Sequence, residues 1–207
     1  MTAALVAGLV AGYGIAVPVG AVATYLVSLT ARTSLRTGTG AALGVATADG
    51  LYALLATLGG SALAAALWPV LGPLRWASAV VLAALAVRGA VAALRQYRGH
   101  RLTARSDPPP PSAVRAYLSL LGITLLNPTT VIYFAALVLG TRTSQAAAPL
   151  EQGAFVAAAF AASASWQLLL AGGGALLGRA LTGRRGRLAT ALLSSGVITA
   201  LAVRIVA

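Results

Sequence analysis

Asp49 stands in the middle of a long apolar run, about Gly40 to Leu67, whereas the other two acids, Asp107 and Glu151, fall in loops. An aspartate at the centre of a membrane helix costs about 2.5–3.5 kcal/mol on insertion scales, so it normally faces the protein interior and has a role. Burial favours its neutral form and makes it a candidate proton carrier; a nearby cation would instead hold it ionised. Arg88, inside the next apolar run, offers such a partner. It lies about seven residues from the cytoplasmic end of its segment and Asp49 about nine, which are similar depths at ~1.5 Å per residue. The pair would serve a solute or only fix helix packing, and Arg88 has the further option of snorkelling to the interface.

Two prolines interrupt other apolar runs at matching places, in Val17-Pro18-Val19-Gly20 and in Leu126-Asn127-Pro128. Proline gives no backbone N–H and crowds the carbonyl four residues back, so each run kinks or breaks there. In hydrocarbon such a break survives only where neighbouring groups, water or a ligand satisfy the freed backbone. Paired broken helices point to a substrate site in a membrane transporter. The freed carbonyls would accept from an ammonium, and the half-helix N-termini that follow would favour a carboxylate. Gly14 and Gly20 flank the first break, and Asn127 can donate or accept at the second. Ser163, Ser165 and Gln167 add polar groups to the fifth segment; such side chains bond either to a neighbouring helix or to a ligand. Trp166 reads as a gate or as packing.

Other chemistry is poorly supplied. Gly172-Gly173-Gly174 lacks the Lys-Ser/Thr of a phosphate loop. There is no cysteine, and the single histidine, His100, sits in a basic loop, so no thiolate, disulfide or His-rich metal site is expected. No Ser/His/Asp set lies within the apolar segments. The chain reads as neither an enzyme nor a cofactor protein.

The elements that must position these residues follow from composition. Of 207 residues 59% are hydrophobic and 9% charged, with a mean hydropathy of +0.89. Soluble domains run at about 25% charged, so an integral, all-α membrane protein is expected, with room for six transmembrane helices of about 20 residues. They fall at about 4–28, 40–67, 74–94, 114–139, 153–177 and 188–206. Residues 96–113 form a basic, proline-rich linker between 1–95 and 114–207, two three-helix repeats of opposite orientation. The net charge of +12 comes entirely from arginines that flank apolar segments, which reads as orientation and not as nucleic-acid binding. Eleven arginines follow segments one, three and five, against three on the other side. The basic loops are therefore cytoplasmic and both termini extracytoplasmic. The many Ala and Gly positions suit either close packing within the chain or a homodimer face.

In order along the chain, Val17-Pro18-Val19-Gly20, Asp49-Gly50-Leu51-Tyr52 and Leu126-Asn127-Pro128 resemble the LysE/RhtB family of amino-acid exporters. The resemblance extends over nearly the whole chain. It implies proton-coupled export of amino acids from the bacterial cytoplasm across the inner membrane. It also puts Pro18, Gly20, Asp49, Asn127 and Pro128 at a central cavity. Pro18-Val19-Gly20-Ala21 and Ala164-Ser165-Trp166 look closer to the lysine- and arginine-exporting branch. Val22 and Ala23 depart from the polar pair of that branch, and Thr129 stands where many members carry lysine. The rival readings are a cation or metal exporter, for which one intramembrane carboxylate is thin, and a non-transporting membrane scaffold.

Overall fold

The structure is a computed structural model and describes residues 1–18, 20–67, 69, 71–99, 110–140, 148–180, 188–189, 192–193, 195–200 and 203. The described secondary structure is helical. In order it comprises α1 (Thr2–Ala16), α2 (Ala21–Arg32), α3 (Leu35–Leu67), α4 (Leu71–Gly99), α5 (Ala113–Leu125), α6 (Pro128–Gly140) and α7 (Pro149–Ala180), then a helical stretch at residues 195–200. Local chemistry sets several starts. Ser112 caps α5 by accepting the N–H of Arg115 at 3.2 Å. Pro128 and Pro149 each occupy the first position of a helix, where a missing N–H costs nothing.

By length and composition α3 (over Leu35–Leu58) and α7 (over Pro149–Gly178) could each cross a bilayer alone. The pairs α1–α2 and α5–α6 could each form one broken span, bent by 75° and 61°. The expected third segment falls on α4, with a shorter apolar stretch at Ala79–Arg88. The sixth is described at residues 188–189, 192–193, 195–200 and 203, which are helical, whereas most of the 96–113 linker lies outside the described residues.

Glycine decides how closely these helices approach. α1 and α2 lie along α7 in parallel. A Cβ on Gly8 or Gly12 would collide with the carbonyls of Phe155 or Ala159; one on Gly174 or Gly178 would meet those of Val27 or Ala31. α5 lies along α3 in the same way, with Gly40 against Ala113 and Gly44 against Tyr117. Each contact uses glycines four apart, the spacing that lets membrane helices meet backbone to backbone. One broken pair thus rests on α7, the other on α3, and α3 packs on α7 between them.

The interior follows from this arrangement. Leu26, Val45, Leu82, Leu120, Ala171 and Ile198 form the larger buried cluster, drawn from six different helical segments. Ala53, Phe134 and Ala159 form a second, with Tyr52 stacked on Phe134 at 5.9 Å. Outward faces stay apolar, as at Val10, Leu118 and Leu176, which suits a lipid surround. The parallel packing also brings Arg32, Arg36 and Arg115 to one end of the bundle, where Thr37 Oγ1 donates to the Pro111 carbonyl at 3.3 Å. At the other end the Met1 ammonium meets Glu151 Oε1 at 2.8 Å.

Candidate functional site

The two breaks are built differently. α1 closes with the Val17 N–H on the Tyr13 carbonyl at 2.9 Å, and α2 opens with the Thr24 N–H on the Gly20 carbonyl at 3.0 Å. Gly20 is extended at φ −105°, and no side chain caps α2. Tyr133 reaches across from α6 and donates to the Ala11 carbonyl at 3.0 Å. Its hydroxyl sits where a Cβ on Gly14 would be, so a larger residue there would displace the Tyr133 side chain.

At the second break the chain satisfies itself. The Asn127 N–H returns to the Thr124 carbonyl at 3.0 Å, and the Tyr52 hydroxyl donates to the Leu125 carbonyl at 2.6 Å. Asn127 Oδ1 accepts the Thr129 N–H at 3.2 Å, the geometry of a helix N-cap, while its carbonyl takes the N–H groups of Thr130 and Val131. The expectation of open carbonyls ahead of Pro128 is therefore corrected. Those of Thr124 and Leu125 are already engaged by an amide and a tyrosine.

Between the breaks lies a cavity of about 600 Å³. Pro18, Gly20, Asp49, Asn127, Pro128 and Gln167 all line it, so six residues named from sequence share one space. Asp49 is 3% exposed, and Ser163 Oγ donates to its Oδ2 at 2.7 Å. A bond of that length to a carboxyl oxygen is in the charge-assisted range. No arginine or histidine is among the described lining residues.

Arg88 does not meet Asp49. It is exposed on α4, away from the buried face formed by Leu82 and Ala86, and the ion pair found among the described residues is Met1–Glu151. Similar depth on two helices says nothing about the direction each side chain takes, and α4 turns Arg88 outward. Ser165 also points away; its hydroxyl pairs with that of Tyr13 at 2.9 Å. The Trp166 Nε1 is buried without a partner among the described residues.

Sequence reasoning passed over Thr124, which lines the cavity with a buried hydroxyl that has no partner among the described residues. Its signal was available, because it is the residue four before Pro128. Ser163 was named, but not as the partner of Asp49. It lies one turn before Gln167 on the same face of α7, a spacing that could have joined the two.

A helical bundle with apolar outer faces, two broken helices and one buried carboxyl in the cavity between them defines a polytopic membrane protein with room for a small solute. The model of the LysE type translocator family matches residues 14–207, and the chain belongs to that family. It is accordingly a membrane transport protein, of a family of transporters and not of enzymes. No curated protein and no solved structure matches the chain.

Proposed function

We propose that this chain exports amino acids from the cytoplasm across the plasma membrane by proton-coupled alternating access, with lysine and arginine the first solutes to try. The observation that carries the reading is the placement of Asp49, buried at the wall of a cavity that joins two helix breaks and has no cation among its described lining residues. A carboxyl so placed alternates between a proton and a substrate ammonium, and that exchange couples the two. The cavity volume lies in the range of small-molecule sites, about 300–1,000 Å³.

Alternating access is proposed on the packing. Each broken pair rests on the long helix of the other half, α1–α2 on α7 and α5–α6 on α3. That exchange is what two inverted repeats would produce, with one half rocking against the other around the site. Orientation is proposed on the arginines. Those at the α2, α3 and α5 ends gather at one end of the bundle, which the positive-inside rule makes cytoplasmic.

The test is efflux from liposomes holding the purified protein and, in turn, labelled lysine, arginine, threonine, leucine or a divalent metal, with and without a pH gradient. Gradient-driven efflux of an amino acid by wild type, lost in Asp49→Asn, is the expected result. Flux of a divalent metal with none of any amino acid would overturn the substrate class, and efflux by Asp49→Asn with its gradient dependence intact would remove Asp49 from coupling.

A further inference from the structure

We infer that the carboxylate of the substrate is held at the N-terminus of α2, beside the Thr124 hydroxyl, and not at the N-terminus of α6. The inference rests on the amino-acid reading above and separates two helix starts that are equivalent by their prolines. At α6 the donors are spent: Asn127 takes the N–H of Thr129 with its side chain and those of Thr130 and Val131 with its carbonyl. The N-cap of α2 is Gly20, which has no side chain to offer, and no side chain among the described residues caps the helix. The N–H groups of Ala21, Val22 and Ala23 precede the first intrahelical bond, so the helix itself leaves them without an acceptor. Gly20 and these three residues all line the cavity. The positive end of the helix dipole coincides with them.

A second observation, independent of the helix start, points to a ligand. Thr124 is 2% exposed and Gln167 4%; both line the cavity, and Thr124 Oγ1 and Gln167 Oε1 have no hydrogen-bond partner among the described residues. Buried polar groups left unpaired are uncommon and call for an explanation. The Thr124 hydroxyl is a donor that joins the α2 amides in serving an anionic group. Gln167 Oε1 is an acceptor one turn along α7 from Ser163, the residue bonded to Asp49, and it joins Asp49 in serving an ammonium. Since the described lining residues include no arginine or histidine, donors for a carboxylate come from backbone and hydroxyl groups. A site so divided selects α-amino acids over simple amines, which lack the anionic end.

Gly20 makes the idea testable. Its φ of −105° suits any residue, and a Cβ there meets nothing within 4 Å. Asparagine at this position would cap α2 as Asn127 caps α6 and would occupy the proposed carboxylate site. We would measure efflux of lysine and lysinamide, with leucine and leucinamide in parallel, from liposomes carrying wild type, Gly20→Asn or Gly20→Asp. Gly20→Asn should raise KM for the amino acid about ten-fold and that for its amide by no more than about two-fold, as expected from removing one charge–dipole interaction. Gly20→Asp, which adds a negative charge, should raise KM for the amino acid further. The melting temperature in detergent should hold or rise, because a new cap stabilises a helix. Equal effects on amino acid and amide, or none on either, overturn the inference while leaving amino-acid export standing. Failure of wild type to move any amino acid overturns both.

Discussion

Alanine placed in turn at Gly172, Gly173 and Gly174 should have opposite effects on stability, although the three residues are consecutive in one helix. A Cβ at Gly172 or Gly173 meets nothing within 4 Å. Replacing mid-helix glycine by alanine there should stabilise by about 0.5–1 kcal/mol, because alanine loses less backbone freedom on folding. At Gly174 the same Cβ would sit 2.7 Å from the Val27 carbonyl oxygen and 3.2 Å from its Cα. Both are backbone atoms of α2, so the helices must part, at a cost typical of overpacking, about 1–3 kcal/mol. The gap between Gly172→Ala and Gly174→Ala is then about 1.5–4 kcal/mol. In a chain of this size one kcal/mol moves Tm by roughly 2–4 °C. The assay is thermal unfolding of purified protein in one detergent. Gly172→Ala and Gly173→Ala should melt slightly above wild type and Gly174→Ala several degrees below. Shifts of the same sign and size at all three positions would refute the backbone contact between α2 and α7.

Tyr52→Phe should lower Tm by a few degrees, since the Leu125 carbonyl loses its 2.6 Å bond and such bonds contribute about 1 kcal/mol; an unchanged Tm would mean that water replaces the hydroxyl. Asn127→Ala should cost about 1 kcal/mol through the lost cap, read as a Tm drop, with Asn127→Asp retaining most of the stability. Arg88→Gln should leave efflux and its dependence on the pH gradient as in wild type, because Arg88 is exposed and apart from Asp49; a changed gradient dependence would show a coupling that the structure does not contain.

The sequence reveals residues whose type conflicts with an apolar surrounding. Asp49 and Gln167 stand out for that reason, and Pro18 and Pro128 stand out because backbone chemistry makes a break there whatever the neighbours are. That these four share one cavity with Gly20 and Asn127 follows from helix packing, which the glycine spacing permits but does not specify. Partners across the bundle were less legible. Ser163 and Asp49 are 114 positions apart, and any of several polar residues on segment five had equal claim before the rotation of α7 was known. Arg88 misled because depth along a helix can be counted from sequence while facing depends on what packs against it. The difference between the two helix starts was half legible. Asparagine before proline is a cap followed by a first-turn residue, but Tyr52 and Tyr133 tie the breaks to distant helices and carry no local mark.

The measurement that bears most directly on the account is single-cysteine labelling at the cavity wall. The chain has no cysteine of its own, so a Thr129→Cys variant provides one thiol, on a residue that is exposed and lines the cavity. Its reaction with a membrane-impermeant maleimide would be followed from each side of oriented vesicles, with and without the transported amino acid. Labelling from both sides is expected, slowed when the amino acid is present. Labelling from one side alone, at a rate indifferent to the amino acid, would contradict a substrate site that opens alternately at this cavity.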